Sequence, residues 1–190
     1  MKDEIERALA ALIGLPMWGA GRTADLLRLQ FGEQLTVAAE GAEGAEGAEG
    51  GDARDVGSHV GSHALHVACP WRLAAPDRLL VGSGDLLTPS DPDAEPETFD
   101  WDAPGASWLD VRLDELAEAH GAAPPVVDAV AGDALGGFRL SLTGGLTLEA
   151  FPNSTPTGHV ATEFWRLLRP GTAEPHFVVG TFGTEREHQA

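Results

Sequence analysis

Residues 138–151 read FRLSLTGGLTLEAF and decide the fold. Apolar residues alternate with polar ones on both sides of Gly144 and Gly145, and that period of two is typical of strands with one buried face. Two consecutive glycines supply both turn positions of a tight hairpin, because glycine adopts positive φ without steric cost. The stretch therefore predicts two antiparallel strands, Phe138–Thr143 and Leu146–Phe151.

Further strands are predicted on either side of this hairpin. Val126–Asp133, Thr162–Leu168 and His176–Thr181 continue it as a meander, which implies antiparallel pairing. Earlier strands are predicted at Leu26–Phe31 with a continuation or return at Gln34–Ala38, and at His63–Cys69, Trp71–Leu73 and Leu79–Ser83. The strand patterns predict one or two antiparallel sheets of about seven or eight strands.

Two helices complete the predicted α+β fold. Apolar residues at helical spacing in residues 3–13 predict an amphipathic helix that ends near Gly14 and Pro16. Ser107 and Asp110 have the spacing of a capping box, and the apolar residues that follow them predict a second helix that closes near Gly121.

The two halves of the chain contain similar sequences. WRLAAP at 71–76 followed by LVGS at 80–83 parallels WRLLRP at 165–170 followed by VVGT at 178–181. LRLQF at 27–31 likewise parallels FRLSL at 138–142. We predict a diverged duplication relating residues 24–83 to residues 136–181, with chance similarity in a biased composition as the alternative.

A single domain, residues 1–190, is predicted from the length, with two atypical segments inside it. Residues 39–62 consist largely of repeated AEG and VGSH units and contain no large apolar anchor, so we expect an exposed, mobile and dispensable insertion. Residues 88–105 are rich in proline and aspartate, and predict an acidic surface loop.

The net charge of −18, from 30 acidic and 12 basic residues, restricts the possible partners. It disfavours nucleic acid and anionic membranes and would attract a basic protein over long range. Cys69 is the only cysteine, which excludes an internal disulfide and fits a reducing compartment. With neither a signal peptide pattern nor an apolar stretch of membrane-spanning length, the sequence predicts a cytoplasmic protein.

Four runs carry a family resemblance: ALHVACPWR at 64–72, GGFRL at 136–140, LEAFP at 148–152 and EFWRL at 163–167. In these runs the chain resembles an actinobacterial protein family that has no assigned activity. The resemblance covers most of the sequence outside residues 39–62, and the AEG tract departs from the family pattern. It implies no catalytic residue, cofactor or partner.

Glu149, Glu163 and Arg166 are the candidate catalytic residues. They lie on neighbouring predicted strands, where a carboxylate could act as a base and the guanidinium could hold an anion. An edge or cross-strand ion pair is the favoured alternative.

His59, His63 and His66 have a spacing that could suggest metal binding, although two of them belong to the repeated VGSH and His63 and His66 should face opposite sides of a strand. The acidic positions in residues 91–102 imitate a calcium loop but place Pro96 where the turn glycine belongs. GAGRTA at 19–24 has the letters of a dinucleotide fingerprint without its strand–helix context. We expect no metal and no cofactor.

These observations favour a non-catalytic protein-binding or regulatory domain, such as an immunity-like neutraliser of a basic partner. The alternative is a small-molecule- or metal-dependent enzyme that uses Glu149, Glu163 and Arg166. The net charge favours the protein-binding domain, because acidic residues exceed basic ones strongly enough to attract a basic protein.

Overall fold

The computed structural model of the chain describes residues 1–37, 58–95, 97–155 and 157–187. Two α-helices are present in these ranges, α1 (Lys2–Leu9) and α2 (Trp108–His120). The strands are β1 (Met17–Thr23), β2 (Leu26–Val37), β3 (Ser58–Val67), β4 (Trp71–Ala75), β5 (Arg78–Gly82), β6 (Val127–Gly132), β7 (Phe138–Leu142), β8 (Leu146–Ala150), β9 (Glu163–Leu168), β10 (His176–Gly180) and β11 (Gly183–Glu187).

The strands form two antiparallel sheets. The six-stranded sheet has the order β1-β2-β3-β9-β10-β11, and the five-stranded sheet has the order β5-β4-β8-β7-β6. The predicted α+β class, antiparallel pairing and two helices are confirmed. The prediction of sheets of about seven or eight strands differs from the structure, where the described residues form sheets of six and five strands.

The strands that the sequence did not predict lie at sheet edges. β1 reads MWGAGRT and β11 reads GTERE, and neither shows the apolar–polar alternation of a strand with one buried face. Each pairs on one side only, with β2 and β10 respectively. Their backbone pairing, rather than burial of their side chains, makes them strands, and a hydrophobic pattern does not reveal that.

The inner faces of the two sheets pack against each other. Trp165 of the six-stranded sheet meets Phe138 of the five-stranded sheet with ring centroids 5.0 Å apart. Helix α1 contributes Ile5 and Leu9, which have no exposed surface. Paired inward-facing leucines cross each sheet in a row, Leu29–Leu65–Leu167 in one and Leu140–Leu148–Leu73 in the other.

Each half of the chain contributes a hairpin to the sheet begun by the other half. β1, β2 and β3 adjoin the hairpin β9–β10, while β6, β7 and β8 adjoin the hairpin β4–β5. Each helix likewise packs on a strand of the other half of the chain: α1 contacts β6, and α2 contacts β1. The halves are thus interlocked.

The strand pairing repeats in detail between the halves. The β1–β2 ladder is irregular between Met17 and Gly19, and the β6–β7 ladder is irregular between Val127 and Ala129. The entries to β1 and β6 exchange two hydrogen bonds: Met17 N–H donates to the Pro125 carbonyl (2.8 Å) and Val127 N–H donates to the Leu15 carbonyl (3.0 Å). Both halves therefore meet through equivalent backbone groups.

Local signals placed α2 and the central hairpin correctly. Asp110 N–H donates to the Ser107 hydroxyl (3.3 Å), as the capping-box spacing predicts. Gly144 and Gly145 both have φ of 75°, as the hairpin prediction requires. The N-terminal helix is shorter than predicted, because residues 10–12 form a 3-10 turn. Neither described helix is long and apolar enough to cross a bilayer.

The repetitive tract divides into two parts. Residues 38–57 lie outside the described residues, so the prediction of a mobile and dispensable insertion there stays a prediction. Residues 58–62 were wrongly included, because they open β3 and pair with β2. The repeated VGSH unit therefore lengthens β3, and the rest of this strand also pairs with β2.

Candidate functional site

The segment between β5 and α2 concentrates negative charge. Residues 88–106 contain six carboxylates and neither lysine nor arginine. All six side chains are exposed: Asp91, Asp93, Glu95, Glu97, Asp100 and Asp102. The predicted acidic loop is present, and its only described strand-like pairing is the bridge of Pro89 with Ser107.

Arg22 of β1 holds this loop in place. Its guanidinium donates to both carboxylate oxygens of Asp110 (2.6 and 2.8 Å) and to the carbonyls of Trp101 (3.0 Å) and Ala103 (3.3 Å). Only 8% of the Arg22 side chain is exposed. Since one guanidinium joins β1, the loop and α2, the end of the acidic loop has a fixed position relative to the sheet.

Asp110 is the acceptor at the centre of this anchor. It occupies the third position of α2, and the Ser107 hydroxyl also donates to its carboxylate (3.0 Å). The hydrogen bonds from Arg22 hold the pKa of Asp110 below its usual value. A carboxylate at a helix N-terminus is further favoured by the helix dipole.

Stability should depend on the protonation of Asp110. Because the folded pKa is depressed, the stabilisation is complete above the unfolded pKa of about 4 and is lost as pH falls through the folded value. We expect the free energy of unfolding to drop on acidification below about pH 4, and to drop less in Asp110→Asn. Urea titrations between pH 2.5 and 7 measure this, and parallel pH profiles for both proteins would contradict it.

A hollow of about 440 Å³ lies between β1, the acidic loop and α2. Asp102 and Asp114 both line it, so α2 adds to the negative surface of the loop. We call the six loop carboxylates together with Asp114 the acidic face. Trp101 of the loop and Trp108, the first residue of α2, are 36% and 38% exposed.

The three candidate catalytic residues are divided between the two sheets. Glu149 lies on β8 of the five-stranded sheet, whereas Glu163 and Arg166 lie on β9 of the six-stranded sheet. The expectation that their strands are neighbours was therefore wrong. The two strands follow each other in sequence, but β9 crosses to the opposite sheet.

Glu149 pairs with two arginines on the adjacent strands. Arg72 Nε donates to it at 2.6 Å, and Arg139 donates to its other oxygen. Burial alone would raise the pKa of Glu149, but the hydrogen bonds from the two arginines outweigh it and the pKa is lowered. A carboxylate held ionised by two cations is a weak proton acceptor, which disfavours a role as general base.

Arg166 is occupied by ion pairs with Glu163 of its own strand and with Glu187 of β11. Its Nε donates to Glu163 (2.6 Å), and its remaining groups contact His176 Nδ1 (3.2 Å) and Glu187 (3.4 Å). The hydrogen bond with Glu163 raises the pKa of Arg166. With two carboxylates on one guanidinium, an incoming anion would have to displace them.

The candidate metal ligands lie along β3 without converging. His59 pairs with Thr36, His63 with Phe31 and His66 with Arg28. Burial lowers the pKa of His63 and of His66, and the neighbouring Arg28 and Arg166 lower that of His66 further. Within the described ranges, groups of three His, Cys, Asp or Glu side chains suited to a metal ion are absent.

Cys69 is unsuited to nucleophilic chemistry. It is 7% exposed, and burial raises the pKa of its thiol to about 12. At neutral pH the thiol is protonated, and the thiolate is the reactive form.

Sequence reasoning missed the arginines that organise these sites. Arg22 lies within GAGRTA, a sequence that resembles a nucleotide-binding motif more than a strand. Arg72 and Arg139 occupy the same outward-facing row as Glu149, as their ladder pairing shows. Arg72 and Arg139 alternate with buried residues in the sequence, and this pattern predicts exposed side chains. It does not predict that both arginines lie beside Glu149, because that depends on the order of the strands in the sheet.

Comparison of the chain with protein-family models, curated proteins and solved structures finds no match.

Proposed function

We propose that the chain is a non-catalytic binding or regulatory domain that takes a basic protein on its acidic face, in the manner of an immunity-like neutraliser. The observation that carries this proposal is the run of six exposed carboxylates in residues 88–106, without a basic residue among them. Charges concentrated on one surface accelerate encounter with a partner of opposite sign and select its orientation.

The anchor beneath the acidic face supports a binding role. Arg22 fixes the backbone at Trp101 and Ala103, so part of the loop is ordered before a partner arrives. Preorganisation lowers the entropy cost of binding. Trp101 and Trp108 add exposed aromatic surface, which is enriched in the energetically important centres of protein interfaces.

The alternative enzymatic function has less support. It requires Glu149 to act with Glu163 and Arg166, which lie in different sheets, and each of these groups is paired with opposite charge. Ion pairs of this kind stabilise sheets, so these residues have a structural role that requires no catalysis.

Affinity capture by the intact chain at about 50 and 500 mM salt tests the binding proposal. We expect a basic protein that the wild type retains at low salt and releases at high salt. A variant of the acidic face should lose it, and a variant with the same charge change elsewhere should keep it. The first combines Asp93→Asn, Glu97→Gln and Asp114→Asn, and the second Asp77→Asn, Asp128→Asn and Glu185→Gln, all at exposed positions. Equal capture by the two variants would refute the acidic face as the site.

A duplication of an ancestral half is also proposed. It is supported by the equivalent partners of the two tryptophans, since Trp71 pairs with Ala150 and Trp165 with Val67. The second strands of the two hairpins do not pair as the sequence similarity predicts. Arg72 and Arg166 are equivalent in the sequence, but Arg72 pairs with Gly82 whereas Arg166 pairs with Val178. A crystal structure in which Trp71 and Trp165 fail to superpose would contradict the proposal.

A further inference from the structure

The five-stranded sheet carries three charged residues in a row on its outer face. Glu149 of β8 lies between its ladder partners, Arg72 on β4 and Arg139 on β7, and its carboxylate accepts hydrogen bonds from both. Side chains directly opposite each other in an antiparallel ladder lie on one face and close together. One central carboxylate therefore serves the arginines on both sides of it.

The six-stranded sheet carries the corresponding row with a different residue at its centre. His66 of β3 lies between its ladder partners, Arg28 on β2 and Arg166 on β9. The neighbouring inward-facing pairs also correspond, with one tryptophan in each sheet: Trp165 opposite Val67, and Trp71 opposite Ala150. This second row thus keeps both arginines and has an imidazole in place of the carboxylate.

The two arginines beside His66 have different surroundings. Arg166 pairs with Glu163 and Glu187. Arg28 is exposed, and within the described parts of the chain it forms neither an ion pair nor a side-chain hydrogen bond. A positive charge therefore stays open beside His66, although acidic residues outnumber basic ones by 30 to 12.

His66 is half-buried among charged and titratable side chains. The groups that act on it are Arg28 from β2, Arg166 and Glu163 from β9, and His176 from β10. Burial and the two arginines lower the pKa of His66, so its ring is neutral at pH 7 and becomes charged on acidification. His176 Nδ1 accepts from Arg166 (3.2 Å), since a guanidinium can only donate.

We propose that the outer face of the six-stranded sheet binds a small carboxylate ion between Arg28 and His66, in the place that the Glu149 side chain takes in the other sheet. The Arg28 guanidinium matches a carboxylate with two parallel hydrogen bonds. The protonated His66 ring adds an N–H donor and a second positive charge. A single charge suits the site, because the net charge of −18 repels multiply charged anions more strongly.

This carboxylate site is separate from the acidic face, whose residues lie on α2 and on the loop before it. Arg166 need not leave Glu163, because Arg28 and His66 are the two groups that hold the ion. Binding of the anion and protonation of His66 favour each other, since each supplies charge that the other requires.

An acetate titration of the intact protein, followed by NMR of the His66 ring and the Arg28 guanidinium, tests the proposal. We expect chemical-shift changes that saturate at both groups at about pH 5.5, and no saturating change with sodium chloride at equal ionic strength. Affinity for the acetate ion should fall at least about threefold between about pH 5.5 and 7.5, because His66 loses its proton. Shifts in the wild type that fail to saturate would overturn the proposal.

His66→Glu rebuilds in the six-stranded sheet the row that Glu149 forms in the other. It should weaken acetate binding at least about tenfold and raise the urea concentration at the unfolding midpoint. His59→Glu is the matched control, since it makes the same charge change on the same strand at an exposed position, and it should bind acetate like the wild type. Equal binding by the two variants would refute the site. Should His66→Glu not fold, Arg28→Gln replaces it, with the same expected loss and the same refuting result.

Discussion

Replacing Trp165 by alanine is expected to lower the free energy of unfolding by about 4 kcal/mol. Trp165 has no exposed surface, and its ring contacts Phe138 of the opposite sheet and Phe177 of its own. Its indole N–H donates to the Gly136 carbonyl at 2.7 Å in a buried position. Alanine removes the largest fully buried side chain among the described residues, and leaves both a void and an acceptor without its donor.

Two further variants separate these effects. Trp165→Phe retains a ring but loses the hydrogen bond to Gly136, so its cost should be intermediate. Trp101→Ala removes a tryptophan that is 36% exposed and should cost less than about 1 kcal/mol. Chemical denaturation measures all three. A loss below about 1 kcal/mol in Trp165→Ala would show that this residue does not join the two sheets.

Arg22→Ala is expected to cost about 3 kcal/mol or more. The Arg22 and Asp110 side chains are 8% and 15% exposed, so the pair is largely removed from water. Truncation of the arginine leaves the half-buried Asp110 carboxylate without its cation, and frees the backbone at Trp101 and Ala103. Breaking one member of such a pair is more costly than removing the pair.

The double variant Arg22→Ala, Asp110→Ala tests this reason. It should be less destabilised than the sum of the single variants, because the uncompensated charge is gone. Arg78→Ala is the control, since Arg78 and its partner Asp77 are 69% and 77% exposed and such pairs contribute about 0–1 kcal/mol. Equal losses for Arg22→Ala and Arg78→Ala would contradict a structural anchor.

Features set by neighbouring residues could be predicted from the sequence. The capping box of Ser107 and Asp110 places the start of α2 because its hydrogen bonds span three residues. Gly144 and Gly145 fix the central hairpin because the turn requires positive φ at both. The order of strands in the sheets could not be predicted in the same way, and it separates Glu149 from Glu163 and Arg166.

The sequence by itself determined the α+β class, the antiparallel pairing, the second helix and the acidic loop, since local hydrogen bonding, side-chain alternation and charge follow from residues close in the chain. Only the tertiary structure decided that β4–β5 and β9–β10 exchange sheets, that Arg22 meets Asp110 88 positions away, and that His66 lies between Arg28 and Arg166. These features depend on packing between distant segments, and the pattern of one segment does not specify which surface another will present to it.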